Sequence, residues 1–324
     1  MPSLRDPQSR LSLVGAAFAL PIAVLQVLWT MLRTRPRAIL TAGGLVSLPV
    51  ALAGGISGVP LVLWDGDAIP GRVNRLLSRF ARRVAVTFPE EASYFPAAKV
   101  VLTGNPVHRQ VLEWTPATAR ARLDLPENDA VVLVSGGSQG AEAINRALFG
   151  ALPRLLARAF VVHLAGEKHL ADANARARSL AQDLAARYRP YGFLEEEMGA
   201  ALSAADLVVG RAGSGTIYDA LAVGRPLVVI PFEAAASGHQ LANARSAVAA
   251  GAAALLRESE LDPDRLAAVV IGLLNDPGRL GRMRQAALSA GKPDAAVVIA
   301  REVLALAQPR AGRKQQRPMA QPKR

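Results

Sequence analysis

Residues 206–222 read DLVVGRAGSGTIYDALA, which combines a short apolar run, a glycine-rich turn and the beginning of a helix. An apolar run without alternation predicts a strand buried on both faces, as in a parallel sheet. Ligands of such sheets bind beyond the carboxyl ends of the strands, where this turn falls. Its glycines let backbone N–H groups approach a phosphate, and the next helix adds partial positive charge. We therefore expect Ser214, Gly215 and Thr216 to face a diphosphate.

Two further features support a nucleotide ligand. Asp219, one helical turn later, could accept hydrogen bonds from both hydroxyls of a ribose, although an acid there also simply favours the helix dipole. A second turn, SGGSQGA (135–141), again follows an apolar run and opens a helix. It is neither GxGxxG nor a Walker loop, and a tight strand–helix turn explains its glycines nearly as well. Two such turns in one domain indicate a nucleotide diphosphate.

A third cluster, PFEAAASGHQLANA (231–244), predicts a long loop that enters a helix at His239 and Gln240. Neutral side chains that donate and accept hydrogen bonds suit the hydroxyls of a sugar. A single histidine at such a junction is more often structural, so the sugar-binding hypothesis depends on its neighbours.

The same alternation of strand, turn and helix runs through most of the chain. Strands are predicted at 38–42, 60–64, 84–88, 100–103, 130–135, 159–164, 188–193, 206–210, 226–230 and 252–256. Helices are predicted at 47–55, 70–82, 140–151, 167–184, 195–204, 215–223, 239–250 and throughout 262–308. This pattern predicts an α/β fold with parallel sheets covered on both faces. With a polar, proline-punctuated linker at 114–130, it indicates two Rossmann-like domains and a ligand cleft between them.

Composition excludes several classes of protein. A chain of 324 residues, 51% apolar and 20% charged, is long enough for two domains and too apolar to be disordered for most of its length. The absence of cysteine rules out disulfides, thiolate metal sites and a cysteine nucleophile. The four histidines are scattered, which argues against a polyhistidine metal centre, and we expect no bound metal.

Half of the net charge of +12 lies in the last 15 residues of the chain. The stretch RAGRKQQRPMAQPKR (310–324) has six Lys and Arg residues and no acid, which predicts a disordered tail. The second hypothesis is that this tail is an anchor for anionic lipid. The tail has no aromatic residue to stack on bases, so we expect no nucleic-acid partner.

Residues 11–32 form an uncharged run between Arg10 and Arg33, long enough to raise the question of a membrane span. Pro21 predicts that a new helix begins there, because proline fits the first turn of a helix. On that helix Gln26, Thr30, Arg33 and Thr34 form one polar stripe among apolar neighbours. We therefore favour an interfacial or domain-packed helix over a span, and a span over a signal peptide. The side chains expected to enter an anionic membrane surface are those of Leu25, Leu28 and Trp29.

Six motifs occur in the order and spacing of a known family: TAGGLVSLP (41–49), IPGRVNRLLSRFA (69–81), TGNPV (103–107), GGSQGA (136–141), RAGSGT (211–216) and HQLANA (239–244). Through them most of the chain resembles the MurG family of UDP-N-acetylglucosamine:undecaprenyl-diphospho-muramoylpentapeptide N-acetylglucosaminyltransferases, glycosyltransferase family 28. The resemblance implies a GT-B fold: an N-terminal acceptor- and membrane-side domain (1–120), a C-terminal UDP-sugar domain (121–308) and the basic tail (309–324).

The same resemblance implies inverting transfer of GlcNAc from UDP-GlcNAc to the undecaprenyl-linked muramoyl-pentapeptide (lipid I to lipid II), with no metal and no other cofactor. It implies a peripheral protein on the cytoplasmic face of the cell membrane. The process would be peptidoglycan synthesis, and through it cell wall biogenesis, cell shape, cell division and the cell cycle.

Matching motifs imply the donor contacts. Ser138 would contact the diphosphate, the backbone of Leu194 would touch uracil, and Gln240, with His239 beside it, would bind the GlcNAc hydroxyls. One run would hold the diphosphate and the ribose, with Asp219 standing where the family usually has Glu: Ser214, Gly215, Thr216, Ile217, Tyr218 and Asp219.

The chain departs from the family's pattern at two motifs. GNPV is followed by His108 and then Arg109, where the family has Arg directly, so either side chain could meet the phosphate. The usual His-Glu-Gln-Asn is replaced by Trp-Asp-Gly-Asp, in which Asp65 keeps the acid and is the one candidate catalytic group. Asp67 takes the place of the terminal amide and becomes a candidate donor contact.

The largest departure is at the N-terminus, where the family's first strand and GGTGGH-type loop have no counterpart. That loop supplies a histidine and backbone donors, so the N-terminal domain is expected to be incomplete and the general base unassigned. We expect Met1 to be an internal methionine of a longer protein; a separate subunit or an inactive chain are the alternatives.

Two other functions remain open at this point. One is another GT-B sugar-nucleotide enzyme, such as a glycolipid transferase or an epimerase. The other is a non-catalytic, donor-binding, membrane-associated subunit that needs a partner. A nicotinamide dehydrogenase is improbable because no GxGxxG follows the first strand.

Overall fold

The computed structural model describes residues 7–137, 140–195, 197–233 and 238–308, and of residues 7–18 the backbone alone. Within these ranges the chain forms thirteen α-helices and ten strands, arranged in two sheets. Every predicted strand is found, with its ends shifted by at most two residues. The α/β fold class with parallel sheets is therefore confirmed. The basic tail at 309–324 lies outside the described residues.

Helix α1 (Pro7–Thr34) runs without interruption through Pro21, so the prediction that a new helix begins there is wrong. An internal proline removes one backbone hydrogen bond and does not always end a long helix whose other bonds and packing persist. The helix packs against the next one, α2 (Ser47–Ser57). No helix that the structure describes has both the length and the hydropathy of a membrane span.

The first sheet has four strands, which pair in sequence order: β1 (Ile39–Thr41), β2 (Leu61–Asp65), β3 (Arg83–Val86) and β4 (Val100–Leu102). Between β1 and β2 lies α2, which ends at Gly58 in the left-handed conformation (φ 69°). Between β2 and β3 lies α3 (Arg72–Leu77), shorter than the predicted 70–82 because the chain turns at residues 78–81.

Residues 114–130, predicted as a linker, contain α4 (Pro116–Arg122). Thr115 caps this helix, since its Oγ1 accepts a hydrogen bond from Thr118 N, and proline occupies the first helical position. Arg120 is nearly buried, and its guanidinium bonds to Ala204 O and pairs with Asp206 at 2.9 Å. The segment is therefore packed structure, and the capping signal within it was overlooked.

The second sheet has six strands: β5 (Val131–Ser135), β6 (Phe160–Leu164), β7 (Tyr188–Tyr191), β8 (Leu207–Arg211), β9 (Leu227–Ile230) and β10 (Ala253–Leu255). Their order is β10-β9-β8-β5-β6-β7, and all neighbours are parallel. The direction of winding reverses between β5 and β8. A reversal of this kind opens a crevice at the carboxyl ends of the two strands, where α/β sheets bind ligands.

Helices cover both faces of this sheet. They are α5 (Glu142–Leu156), α6 (Leu170–Arg178), α7 (Gln182–Ala185), α8 (Met198–Ala204), α9 (Ser214–Ala222), α10 (His239–Ala249), α11 (Pro263–Leu274) and α12 (Pro277–Ala290). The last described helix of the chain is α13 (Ala295–Ala307). Val131 and Leu133 of β5 enter one hydrophobic core and Val132 and Val134 enter the other, as expected of a strand buried on both sides. The predicted helix 167–184 is divided into α6 and α7, and the predicted helical end 262–308 into α11–α13.

The described residues divide into two compact units. Those within 1–64, 72–84 and 298–324 form the first, and those within 65–71 and 85–297 form the second. The division at residue 120, which the sequence suggested, stays a prediction.

Candidate functional site

Both glycine-rich turns lie at the reversal point of the six-stranded sheet. SGGSQGA follows β5 and RAGSGT follows β8, and these strands are neighbours, with Ser135 paired to Gly210. A Cβ atom on Gly210 would come within 2.9 Å of Ser135 O, so the strands need glycine there. The two turns that the sequence singled out therefore meet at one edge of one sheet.

The N-terminus of α9 is open to a ligand. Its N-cap, Gly213, has φ −69° and ψ 143° and makes no side-chain capping bond. The first N–H groups of a helix have no partner inside the helix, so those of Ser214, Gly215 and Thr216 are available. A Cβ atom on Gly213 or Gly215 would meet nothing within 4 Å, and neither residue has a positive φ. The fold itself does not require glycine at these two positions, whereas close approach of an anion would.

The next two residues of the run serve mainly to pack the helix. Ile217 is fully buried and Tyr218 is 5% exposed. The Tyr218 hydroxyl donates to Thr87 O, and its ring meets Phe88 edge to face at 5.3 Å. A donor contact by either residue would have to come from its backbone, and it stays a prediction.

Asp219 carries a carboxylate oxygen with an unused hydrogen-bonding capacity. Its Oδ1 is buried and has no hydrogen-bond partner among the described residues. Burial raises the pKa of Asp219 to about 6, and the charge of His108 nearby opposes this rise. A buried acceptor without a partner is costly, and ribose hydroxyls would satisfy it.

His108 and Arg109, the two candidates after the GNPV motif, have different surroundings in the structure. Arg109 is exposed and pairs with Glu113 at 3.0 Å, whereas His108 is close enough to Asp219 to affect its ionisation. Of the two, His108 is therefore the one close to Asp219. Its contact with a phosphate stays a prediction.

The glycines of SGGSQGA are explained by a tight turn. Gly137 and Gly140 have φ values of +82° and +72°, and a Cβ atom on Gly140 would lie 2.4 Å from Ala165 O. The geometry of the turn alone therefore explains why glycine occupies these two positions. Ser138, the expected diphosphate contact, lies outside the described residues.

The loop-to-helix junction at α10 places the predicted sugar contacts at the helix N-terminus. His239 and Gln240 are its first two residues, after Gly238 in the left-handed conformation (φ 63°). Gln240 Oε1 accepts from Phe232 N at 2.8 Å, and among the described residues its amide N–H groups have no partner. The backbone of Leu194, the expected uracil contact, follows β7; its side chain is buried, whereas that of Phe193 before it is 52% exposed.

Asn243 is a residue of the HQLANA motif whose role the sequence did not reveal. It is fully buried, and its Oδ1 accepts from Ala68 N at 2.8 Å. Its Nδ2 donates to Asp67 Oδ1 at 2.9 Å and to Ala212 O at 3.2 Å. It thus fixes the turn at 65–71 against the end of β8, and it orients Asp67.

A buried carboxyl group, Glu91, lies beside the same turn. Its Oε2 accepts from Thr87 N at 2.8 Å, and its Oε1 has no partner among the described residues. Burial, reinforced by the charge of Asp65, raises the pKa of Glu91 to about 9. Glu91 is therefore a neutral acid at pH 7. Asp65, the candidate catalytic acid, is only 3% exposed, accepts from Asp67 N at 3.2 Å, and its role stays a prediction.

The first unit exposes an apolar stripe on α1. Ile22, Leu25, Trp29 and Leu32 recur at helical spacing, and each is more than half exposed. The guanidinium of Arg33 lies 3.7 Å from the centroid of the Trp29 ring. Leu28 is half-buried, so it belongs less to this stripe than expected. The described residues hold no group of three or more His, Cys, Asp or Glu side chains suited to a metal ion.

Comparison with known proteins finds similar sequences along most of the chain. Residues 131–299 match the model of the glycosyltransferase family 28 C-terminal domain, and residues 8–86 match that of the family's N-terminal domain. A relative from Salinibacter ruber is 38% identical over 302 residues, 91% of this chain and 79% of the relative. It is named UDP-N-acetylglucosamine--N-acetylmuramyl-(pentapeptide) pyrophosphoryl-undecaprenol N-acetylglucosamine transferase.

A relative of the same name from Alkalilimnicola ehrlichii is 41% identical over 290 residues, 89% of this chain and 78% of the relative. The crystal structure of MurG from Acinetobacter baumannii superposes with a TM-score of 0.72 at 27% identity, covering 89% of this chain and 80% of that one. The sequence matches and this structural match each cover about nine tenths of the chain.

Proposed function

The chain belongs to glycosyltransferase family 28, and on that premise we propose that it transfers GlcNAc from UDP-GlcNAc to the lipid-linked muramoyl-pentapeptide, converting lipid I to lipid II in peptidoglycan synthesis. The observation that carries the proposal is the beginning of α9. There an uncapped helix N-terminus with open space is followed, one turn on, by the unpartnered Oδ1 of Asp219. This pairing of features fits a nucleoside diphosphate.

The site residues would divide the donor between them. The N–H groups of Ser214, Gly215 and Thr216 would hold the diphosphate, and Asp219 would accept both ribose hydroxyls. The Gln240 amide, oriented by its bond from Phe232 N, would donate to the sugar hydroxyls. In this arrangement every group acts through hydrogen bonds, and we propose that no metal takes part.

The reaction requires that the leaving diphosphate be stabilised and that one proton be removed from the acceptor. The acceptor hydroxyl attacks the anomeric carbon, the bond from that carbon to the diphosphate oxygen breaks, and UDP leaves with inversion. The helix N-terminus of α9 stabilises the charge that develops on the diphosphate. The acceptor proton passes to a general base. Because Asp65 is buried and receives the N–H of Asp67, we assign it to ordering the turn at 65–71.

The acceptor carries a lipid, so the protein must work at a membrane surface. The apolar stripe of α1, followed by Arg33, Arg35 and Arg37, has the composition of a helix that dips into an anionic bilayer. We propose peripheral binding through Leu25 and Trp29 on the cytoplasmic side, where UDP-GlcNAc is available.

The test is an assay of the full chain with UDP-GlcNAc and vesicles that contain the lipid-linked muramoyl-pentapeptide. The proposal predicts UDP release that depends on the acceptor. Release without acceptor, together with an epimerised sugar, would indicate an epimerase. Donor binding without any release, and activity restored by a second subunit, would indicate a non-catalytic donor-binding subunit. Either of these results would contradict the proposal.

A further inference from the structure

A cavity lies in the second unit, at the edge of the six-stranded sheet where the strands begin. Its volume is about 210 Å³. Asp206 and Pro226, which immediately precede β8 and β9, line it on the side of the strands' amino ends. The donor site, in contrast, lies at the carboxyl ends of β5 and β8. The cavity is therefore separate from the proposed site of transfer.

Two arginines dominate the lining of this cavity. Arg225 comes from the turn between α9 and β9 and is 4% exposed. Arg284 comes from α12, whose Leu280 and Gly281 line the same side, and it is exposed. Burial, and after it the charge of Arg284, lowers the pKa of Arg225 to about 10. The two guanidinium groups are thus close enough to repel each other.

The one acid that lines the cavity offsets only part of these charges. Asp206 Oδ2 accepts from Arg120 Nη2 and from Val131 N, both at 2.9 Å. The charge of Asp206 also acts on Arg225, but its ion pair is with Arg120, and neither Arg225 nor Arg284 forms an ion pair with an acid among the described residues.

The hydrogen bonds of Arg225 are also incomplete. Its Nη1 donates to Ala205 O at 2.8 Å, whereas its Nε is enclosed by protein and has no partner among the described residues. A ligand in the cavity would therefore meet this guanidinium through its Nη atoms. A buried guanidinium with unused donors is costly unless an anion or water completes its bonds. Arginine binds phosphate through two parallel N–H···O bonds, and such charge-assisted bonds are the stronger kind.

From this imbalance of charge we propose that the cavity binds a phosphate dianion, as free phosphate or as the end of a phosphomonoester, between Arg225 and Arg284. Two unpaired positive charges match the two negative charges of the ligand. The volume suffices, since a phosphate takes up roughly the space of two or three water molecules of about 30 Å³ each. Asp206 would remain paired with Arg120 and would not face the anion alone.

The test is thermal unfolding of the full chain in phosphate-free buffer, to which inorganic phosphate or potassium chloride is added at equal ionic strength. UDP is present in excess throughout, so that phosphate cannot act at the donor site. The proposal predicts a saturable rise in Tm with phosphate and none with chloride. Titration calorimetry under the same conditions should give one phosphate site per chain.

The matched variants are Arg284→Gln and Arg282→Gln, two exposed arginines of α12 of which the first lines the cavity. Arg284→Gln should weaken phosphate binding by about tenfold or more, the equivalent of one lost charge-assisted contact, and Arg282→Gln should not. Because Arg284 is exposed, the variant is expected to fold, and its Tm without phosphate should not fall. Equal phosphate binding in both variants, or no saturable effect in the parent chain, would overturn the proposal.

Vesicles added to the phosphate titration distinguish the two sources of the phosphate, because flotation itself also arises from α1. If vesicles that contain phosphatidic acid, a phosphomonoester, displace phosphate and vesicles that contain phosphatidylglycerol, a phosphodiester, do not, the ligand is a lipid headgroup. If neither lipid displaces phosphate, the ligand is a free phosphate compound. Both results support the site, whereas equal displacement by the two lipids would contradict a site for a phosphate dianion.

Discussion

Replacing Asp219 by Asn tests the ribose contact directly, because Asn has the same size and no charge. The carboxylate would accept two hydrogen bonds from the ribose, and its Oδ1 is a buried acceptor that otherwise has no partner among the described residues. Hydrogen bonds to a charged group contribute about 1.5–3 kcal/mol each, and the Asn oxygen can still accept one. We therefore expect Asp219→Asn to weaken UDP-GlcNAc binding by about 1–3 kcal/mol, or about 5- to 150-fold in Kd.

The ionisation of Asp219 adds a second, independent expectation. Its pKa is raised to about 6 by burial, so the carboxylate is charged at pH 7.5 and mostly protonated at pH 5. Donor affinity should be full above about pH 7 and should fall about tenfold by pH 5, as the charged fraction falls. The Asn variant cannot titrate at this position, so this part of the pH dependence should disappear from it.

The assay is titration calorimetry of the full chain with UDP-GlcNAc at pH 7.5 and pH 5. Asp172→Asn, on the exposed face of α6, is the control for loss of a carboxylate elsewhere and should bind like the parent chain. Asp219→Glu keeps the charge and should retain most of the affinity at pH 7.5. If Asp219→Asn binds within about twofold of the parent at both pH values, the assignment of Asp219 to the ribose is wrong.

Three further predictions concern the membrane, metals and the buried acid. Leu25→Glu combined with Trp29→Glu should abolish flotation with anionic vesicles. Gln26→Glu combined with Thr30→Glu adds the same charge to the polar stripe and should weaken flotation much less. Equal losses in the two double variants would rule out the apolar stripe as the membrane contact. EDTA should leave transfer unchanged, and a rate restored only by a divalent metal would refute the metal-free mechanism. Glu91, whose pKa rises to about 9, binds its proton more tightly in the folded state, so chain stability should decline as the pH rises from about 4.5 towards 9. Glu91→Gln should remove this decline in Tm, and an identical pH profile in both proteins would show that Glu91 is ionised.

The sequence predicted the strands of the second sheet and the glycine-rich turns that follow two of them, because both depend on local patterns. Apolar runs such as that of β8 mark buried strands, and a glycine-rich turn followed by a helical pattern marks the site at the end of the strand. The structure adds the reason why the two turns meet, namely the pairing of β5 with β8. That pairing depends on strand order, which no local pattern encodes.

The missed features depend on contacts between distant parts of the chain. Asn243 reaches Ala68 and Asp67, more than 170 positions away, and its motif gave no sign of this. Arg225 and Arg284 form a cavity only because α12 folds back over the amino ends of the strands. The prediction of a helix start at Pro21 was wrong because the local preference of proline for the first turn was outweighed within the long helix α1.

The mass of the lipid product shows whether GlcNAc is transferred. The full chain is incubated with UDP-GlcNAc and vesicles that carry the lipid-linked muramoyl-pentapeptide, and the lipid fraction is examined by mass spectrometry. If the chain is the proposed transferase, the acceptor gains one N-acetylhexosamine, and Asp219→Asn slows this gain under subsaturating donor. An acceptor of unchanged mass, under conditions in which calorimetry shows UDP-GlcNAc to be bound, would contradict it.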